Sequence, residues 1–439
     1  MDTFIEFAFS VMNDHMGMAI LLFLLFFFAK LFVLKRHIYS LFDPLLFFLV
    51  FNSFSFVTVF FVSYFKNDYF AFYDLLVFNI LFYLPALFIK PINFDLYKAG
   101  FSSAISKNGY LFYKIMAVYF ILPTIIMWVT RGVPLFSENA TDAKVLLYAG
   151  GFGLVRYIHF ILPLYVFFVG MLFILDDNAN KQLNVFSKIS LLLILLFVFL
   201  FFVTSGSKSA LLPLIFCLAF ANECYRGARL YFIIKKILML LLMLAIGLVF
   251  LVLFLSGLSG NGDVMNLLFT SLGVRFLASG DLFFFWYEYG LNENYNPSFS
   301  FFGYILQPLL AMLGLTTHEY PLGAVIMNEA TGYPLSSFGP NGQLPVVLDL
   351  ALGSIKYLGA FFAGLSVFLL RYKSFYLTKR FGGGGAILFC ILFFSATNIY
   401  TDIVLFFSTL YSFMILFAPT YIIFNVLSFS FNKKVVIGS

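Results

Sequence analysis

Residues 16–34 read MGMAILLFLLFFFAKLFVL, an apolar run broken only by Lys30. Crossing a hydrocarbon core takes about 20 predominantly apolar residues. The run decides the fold because it recurs: similar stretches follow at Pro44–Phe65, Phe70–Ile89, Tyr110–Thr130, Val145–Leu175, Ile189–Thr204, Ser209–Asn222, Ile237–Leu255, Tyr357–Leu370, Ala386–Tyr400 and Ile403–Leu427. The expectation is an all-α polytopic integral membrane protein with about eleven transmembrane helices.

Composition agrees. Of 439 residues, 62% are hydrophobic and 10% charged, where a soluble domain spends about 25% on charge. The first run is preceded by Asp2, Glu6 and Asp14 with no basic residue, which does not read as a cleavable signal peptide. Cys217 and Cys390 fall in apolar runs and Cys224 at a helix end, so neither a disulfide nor a thiolate metal site is expected.

Basic residues orient the chain. With eleven spans, all but seven of the 26 Lys and Arg fall on one side, the cytoplasmic one by the positive-inside rule. The N-terminus is then outside and the C-terminus cytoplasmic. The net charge of +6 is accounted for by this bias and not by nucleic acid. The seven exceptions are Lys66, Arg131, Lys144, Arg156, Lys208, Arg275 and Lys356.

The spans divide the chain into residues 1–256 with helices one to eight, a large outer loop at 257–356, and residues 357–439 with helices nine to eleven. The loop carries acids, Asn, Pro, Gly, a His and an Arg in a chain otherwise short of them. Val264, Leu267, Leu268, Leu272 and Phe276 recur at helical spacing, as in a helix lying at a membrane surface. Phe301–Leu315 reads as a short re-entrant or interfacial helix, and Pro345–Gly353 as helical with Asp349 facing inward. The Phe283–Tyr289 run fits an interfacial aromatic belt. Gly382–Gly385 reads as a flexible hairpin.

Cations on the outer side run against topology and need another reason. Arg131 opens an outer loop as Arg-Gly-Val-Pro-Leu-Phe-Ser. Arg156 ends a Gly-rich run, Gly150-Gly151-Phe152-Gly153-Leu154-Val155-Arg156, inside an apolar stretch where charge is costly unless it faces water. Ser205-Gly206-Ser207-Lys208-Ser209 makes a turn before the next helix, which is an anion site or simply a short loop. Any one of these cations is equally readable as snorkelling or salt-bridged.

These features in this order, closing with Gly339-Pro340-Asn341 before a late helix, resemble the Wzy-type O-antigen polymerases over Arg131 to Leu370. Two departures stand out: Lys208 where that family usually has Arg, and Asp142 and Trp286 where an Arg-x10-Gly pattern would place Gly. The resemblance implies a GT-C-like architecture in the bacterial inner membrane. It implies transfer of a glycan from undecaprenyl pyrophosphate to a lipid-linked repeat unit, with no cofactor. It also implies the partners of that reaction: lipid-linked oligosaccharide, membrane lipid and a Wzz-type chain-length regulator. An O-antigen ligase shares the plan, and a lipid-linked oligosaccharide flippase belongs to the same pathway.

Such chemistry asks for three kinds of group. Arg131, Arg156 and Arg275, with Lys208, are candidates for the leaving pyrophosphate, because guanidinium forks bind phosphate oxygens and stay protonated. His318, in the Thr-His-Glu-Tyr-Pro stretch, is the candidate base, with Glu319, Glu329, Asp281 and Asp349 as alternatives. Trp286, Tyr333 and Asn341 are candidates for holding sugar. Loop acids are scattered, so metal-independent transfer is expected. His159, within the fifth run, is the residue a membrane O-acyltransferase would use.

Overall fold

The computed structural model describes residues 2–136, 147–148, 153–205, 211–228, 230–257, 264–294, 300–316, 320–335 and 340–426. Among these the chain is helical with no β-strand. Nine described helical segments are long and apolar enough to cross a membrane: Met16–His37, Pro44–Lys66, Phe70–Leu87, Lys107–Phe136, Gly153–Leu175, Val185–Thr204, Leu344–Lys373, Phe375–Phe394 and Ile403–Val426. The protein is an all-α, multi-pass membrane protein.

Two of the eleven expected spans are not among these nine. The expected span Ser209–Asn222 appears as Leu212–Cys224, a helix of 13 residues. At 1.5 Å per residue it reaches about 20 Å, short of the roughly 30 Å core. Pro213 lies in its first turn, where a missing N–H costs nothing. The expected span Ile237–Leu255 lies inside the 27-residue helix Tyr231–Gly257, in which the side chains of 244–246 and 248–257 are outside the described set.

The fold comprises two compact units. The first takes Met1–Ile92, Leu248–Leu370 and Ala396–Phe407, and the second Asn93–Gly247, Arg371–Ser395 and Ser408–Ser439.

In the first unit the helix Pro44–Lys66 is the central post. Asp43 caps it by accepting the Leu45 N–H at 2.7 Å, Pro44 opens it, and Asn67 ends it in the left-handed conformation at φ 52°. Loop residues expected at the membrane surface pack on this post. Thr58 Oγ1 donates to the Leu277 carbonyl at 2.9 Å and Ser55 Oγ to the Ser279 carbonyl at 2.8 Å. Phe54 stacks on Phe276 at 4.6 Å. A Cβ on Gly280 would stand 2.7 Å from Thr58 Cβ, so only glycine admits this approach. The helix Val264–Leu277 therefore lies against protein. The aromatic run does not form a belt either: Phe283, Phe284, Phe285, Trp286 and Tyr287 are all buried. Phe284 packs edge-on against Phe4 of the N-terminal helix Asp2–Asp14 at 5.3 Å. Helix Lys356–Lys373 comes so close to the Phe70–Tyr83 helix that a Cβ on Gly364 would lie 1.8 Å from the Phe82 carbonyl oxygen.

In the second unit Lys107–Arg131 runs antiparallel to Gly153–Leu175. Tyr110 meets Phe173 near one end, at 5.2 Å, and Thr124 meets His159 nearer the other. Val185–Thr204 lies beside both, with Tyr110 bonded to Ser187 and Phe201 against Phe120. A cluster of aromatic rings, among them Tyr97, Phe101, Phe168, Phe220, Phe389 and Phe393, forms the packed interior. The Gly382–Gly385 run is not a flexible hairpin. Gly382 turns the chain at φ 50° within Phe375–Phe389, and Gly383, Gly384 and Gly385 are buried where a Cβ would strike Phe112, Tyr421 and the Leu377 carbonyl.

Candidate functional site

Two of the arginines expected on the outer side share one end of one helix pair in the second unit. Arg131 stands seven residues beyond Thr124 and Arg156 three residues before His159, so both lie on the same side of the Thr124–His159 bond, at about 10 Å and 4–5 Å along the axes. Both side chains are exposed. The Arg156 guanidinium rests over the Phe160 ring at 5.4 Å, which supports it without masking its N–H fork. Val185–Thr204 ends at this same side, and Ser205 begins the turn whose remaining residues, Lys208 included, are outside the described set. Arginine-rich ends of this kind suit an anion with several oxygens.

Beneath them His159 is buried and fully engaged. Thr124 Oγ1 donates to the Phe120 carbonyl at 2.7 Å, so it must accept from His159 Nε2–H at 2.8 Å; Nδ1 then accepts from the Tyr148 hydroxyl at 3.0 Å. An imidazole with both nitrogens hydrogen-bonded holds three segments together.

In the first unit, Arg275 is exposed near the end of Val264–Leu277, and Asp281 begins the helix Asp281–Glu288 six residues later. The turn between them is fixed by Ser55 and Thr58, and by Gln343, whose Nε2 donates to the Ser279 carbonyl at 2.5 Å. Asp281 keeps part of its surface open, yet the protein around its carboxyl is dense enough to raise its pKa from 3.8 to about 7, against the opposing pull of the Leu282 and Asp281 backbone N–H groups. A rigidly mounted carboxylate poised near neutrality has the properties of a general base. His318 and Glu319 lie outside the described residues. No known protein family, curated protein or solved structure matches this chain.

Tyr333 and Asn341 are exposed, as sugar contacts require; the Tyr333 backbone is held by Asn328 and Thr331. Trp286 departs from its expected role. It is 2% exposed, and its indole N–H donates to Asp349 Oδ2 at 3.1 Å, so its ring belongs to the interior.

A buried ionic cluster accounts for that placement, and sequence reading passed over it. Lys356 Nζ lies 2.8 Å from both Asp74 Oδ2 and Asp349 Oδ1. Asp74 also accepts from Tyr287 at 2.9 Å and Tyr357 at 2.6 Å. Asp349, an alternative base on sequence grounds, is thus tied to Lys356 and Trp286. The signal was present: Lys356 is one of the seven cations on the disfavoured side, and Asp74 an acid inside an apolar run. Lys30, assigned to the cytoplasmic rim by its position, is buried as well, donating to Asn52 Oδ1 at 2.7 Å and standing over the Phe56 ring at 4.0 Å. Among the described residues, no group of three or more His, Cys, Asp or Glu could hold a metal ion.

Proposed function

We propose that this chain is a membrane glycosyltransferase of the O-antigen polymerase type, acting at the outer face of the bacterial inner membrane. The observation that carries the reading is the exposed pair Arg131 and Arg156 at one end of one helix pair, on the side where topology disfavours cations. In the reaction, the acceptor hydroxyl oxygen of one lipid-linked repeat unit attacks the anomeric carbon of a glycan on undecaprenyl pyrophosphate. The bond from that carbon to the phosphate oxygen breaks, and the pyrophosphate leaves with the electron pair.

Arg131 and Arg156 serve the leaving group. Their bidentate N–H forks gain most as negative charge develops, which lowers the barrier and not merely the binding energy. Asp281 is the described group suited to take the acceptor proton, with His318 and Glu319 as its rivals. Tyr333 and Asn341 serve as sugar contacts.

The test is deletion of the gene in its native strain, with surface lipopolysaccharide resolved on a gel. A core bearing one repeat unit supports a polymerase. A core with none supports ligase or flippase activity instead, and full-length ladders lacking acetyl groups support acyl transfer.

A further inference from the structure

Helices Lys107–Arg131 and Val185–Thr204 leave between them an apolar groove of about 350 Å³, lined by Ile121 and by a stripe from Phe186 to Phe197 in which Ser190 is the one polar side chain. The stripe recurs every three or four residues, so it is one face of the helix. Its eleven-residue reach spans about 16 Å, half of a roughly 30 Å core and therefore one leaflet. It starts at the second residue of its helix, at the membrane boundary, and stops where Phe197 packs on Phe120 at 5.7 Å and Trp128 at 5.4 Å.

The open end is basic. Lys114 lies two helical turns from Ile121 on the same face, exposed, with its ammonium over the Tyr110 ring at 5.1 Å. The Tyr110 hydroxyl donates to the Ser187 carbonyl at 3.0 Å and so ties the two helices at the mouth. Neither helix carries an acid; the charges they bring to this end are lysines.

We propose that the groove binds one acyl chain of an anionic glycerophospholipid from the leaflet at this end, with its phosphate on Lys114. The length and the charge of the groove point to its occupant. One hydrocarbon chain fits, and a one-leaflet groove with a basic mouth matches a single-leaflet lipid with an anionic head. The site stands apart from the proposed transferase reading, because Arg131 and Arg156 lie at the opposite end of these helices.

The full-length protein in detergent is incubated with phosphatidylglycerol or phosphatidylcholine of identical chains, and lipid retention is read by native mass spectrometry. Preferential retention of phosphatidylglycerol is expected. Lys114→Ala weakens it about five-fold, the effect of one basic residue near an anionic head. Ile121→Trp, which fills the groove, removes both lipids; Ile189→Trp does the same from the more exposed wall should the first variant fail to fold. Lys379→Ala, outside the groove, changes nothing. Equal retention of the two lipids overturns the proposal, as does unchanged retention in a folded groove-filling variant. Displacement of phosphatidylglycerol by an equal amount of undecaprenyl phosphate also overturns it and assigns the groove to an isoprenoid chain.

Discussion

Lys356 Nζ stands 2.8 Å from Asp74 Oδ2 although 282 residues separate them in sequence. The bond joins the start of helix Lys356–Lys373 to the first turns of Phe70–Tyr83, and Asp349 completes the bridge. Lys356→Met leaves two carboxylates without their cation in a dry setting. Such losses cost about 3–5 kcal/mol, which a thermal melt in detergent will show as a large drop. Adding Asp74→Asn should restore part of it. A single variant that melts like the parent would remove the cluster from the list of interactions holding this unit.

Asp281 makes a prediction with a sign. Its folded pKa of about 7 lies above the unfolded value near 3.9, so between these limits the folded chain holds a proton that the unfolded chain has lost. The folded state therefore loses stability as pH rises from about 4 to 7. Asp281→Asn should match the parent below pH 4 and melt higher than it at pH 8. If Asp281 is also the base, parent transferase activity climbs through pH 7 and the Asn variant loses the reaction. Normal ladders in Asp281→Asn with none in His318→Ala would transfer that role to His318.

Arg131→Ala and Arg156→Ala should each abolish long glycan chains while the protein still reaches the membrane. Lysine at either position keeps the charge but not the fork, so it should recover only part of the chain length. Full ladders from both alanine variants would count against pyrophosphate binding here.

Glycine substitutions separate close packing from helix propensity. A Cβ at position 364 meets the Phe82 backbone oxygen at 1.8 Å, whereas one at Gly17 meets nothing within 4 Å. Gly364→Ala should sharply reduce the yield of folded protein. Gly17→Ala should gain about 0.5–1 kcal/mol from helix propensity. Equal yields and melting temperatures for the two would refute the tight crossing.

Apolar length made most of the helices readable in advance, including the short Phe301–Met312 helix and the helical run around Asp349. What escaped reading depends on partners distant in the chain. Hydrophobicity does not distinguish a lipid-facing Phe from one packed on protein, so Phe283–Tyr287 looked interfacial until the N-terminal helix was seen against it. Lys30 looks topogenic by position; only the facing Asn52 reveals that its side chain turns inward. Gly383–Gly385 read as slack because the rings that demand glycine there, Phe112 and Tyr421, come from other helices. The arginine pair was visible as two exceptions to charge bias, but its shared location required the Thr124–His159 register.

The seam of side-chain hydroxyls from Ser55 and Thr58 to the carbonyls of Leu277 and Ser279 constrains how this protein can be re-engineered. Its donors sit inside an apolar helix and its acceptors are main-chain atoms, so nothing in residues 264–294 themselves advertises the dependence. A chimera that carries this segment into another chain would have to carry the two hydroxyls of the Pro44–Lys66 helix along with it. Moved without them, the segment would leave the Leu277 carbonyl without its hydroxyl donor.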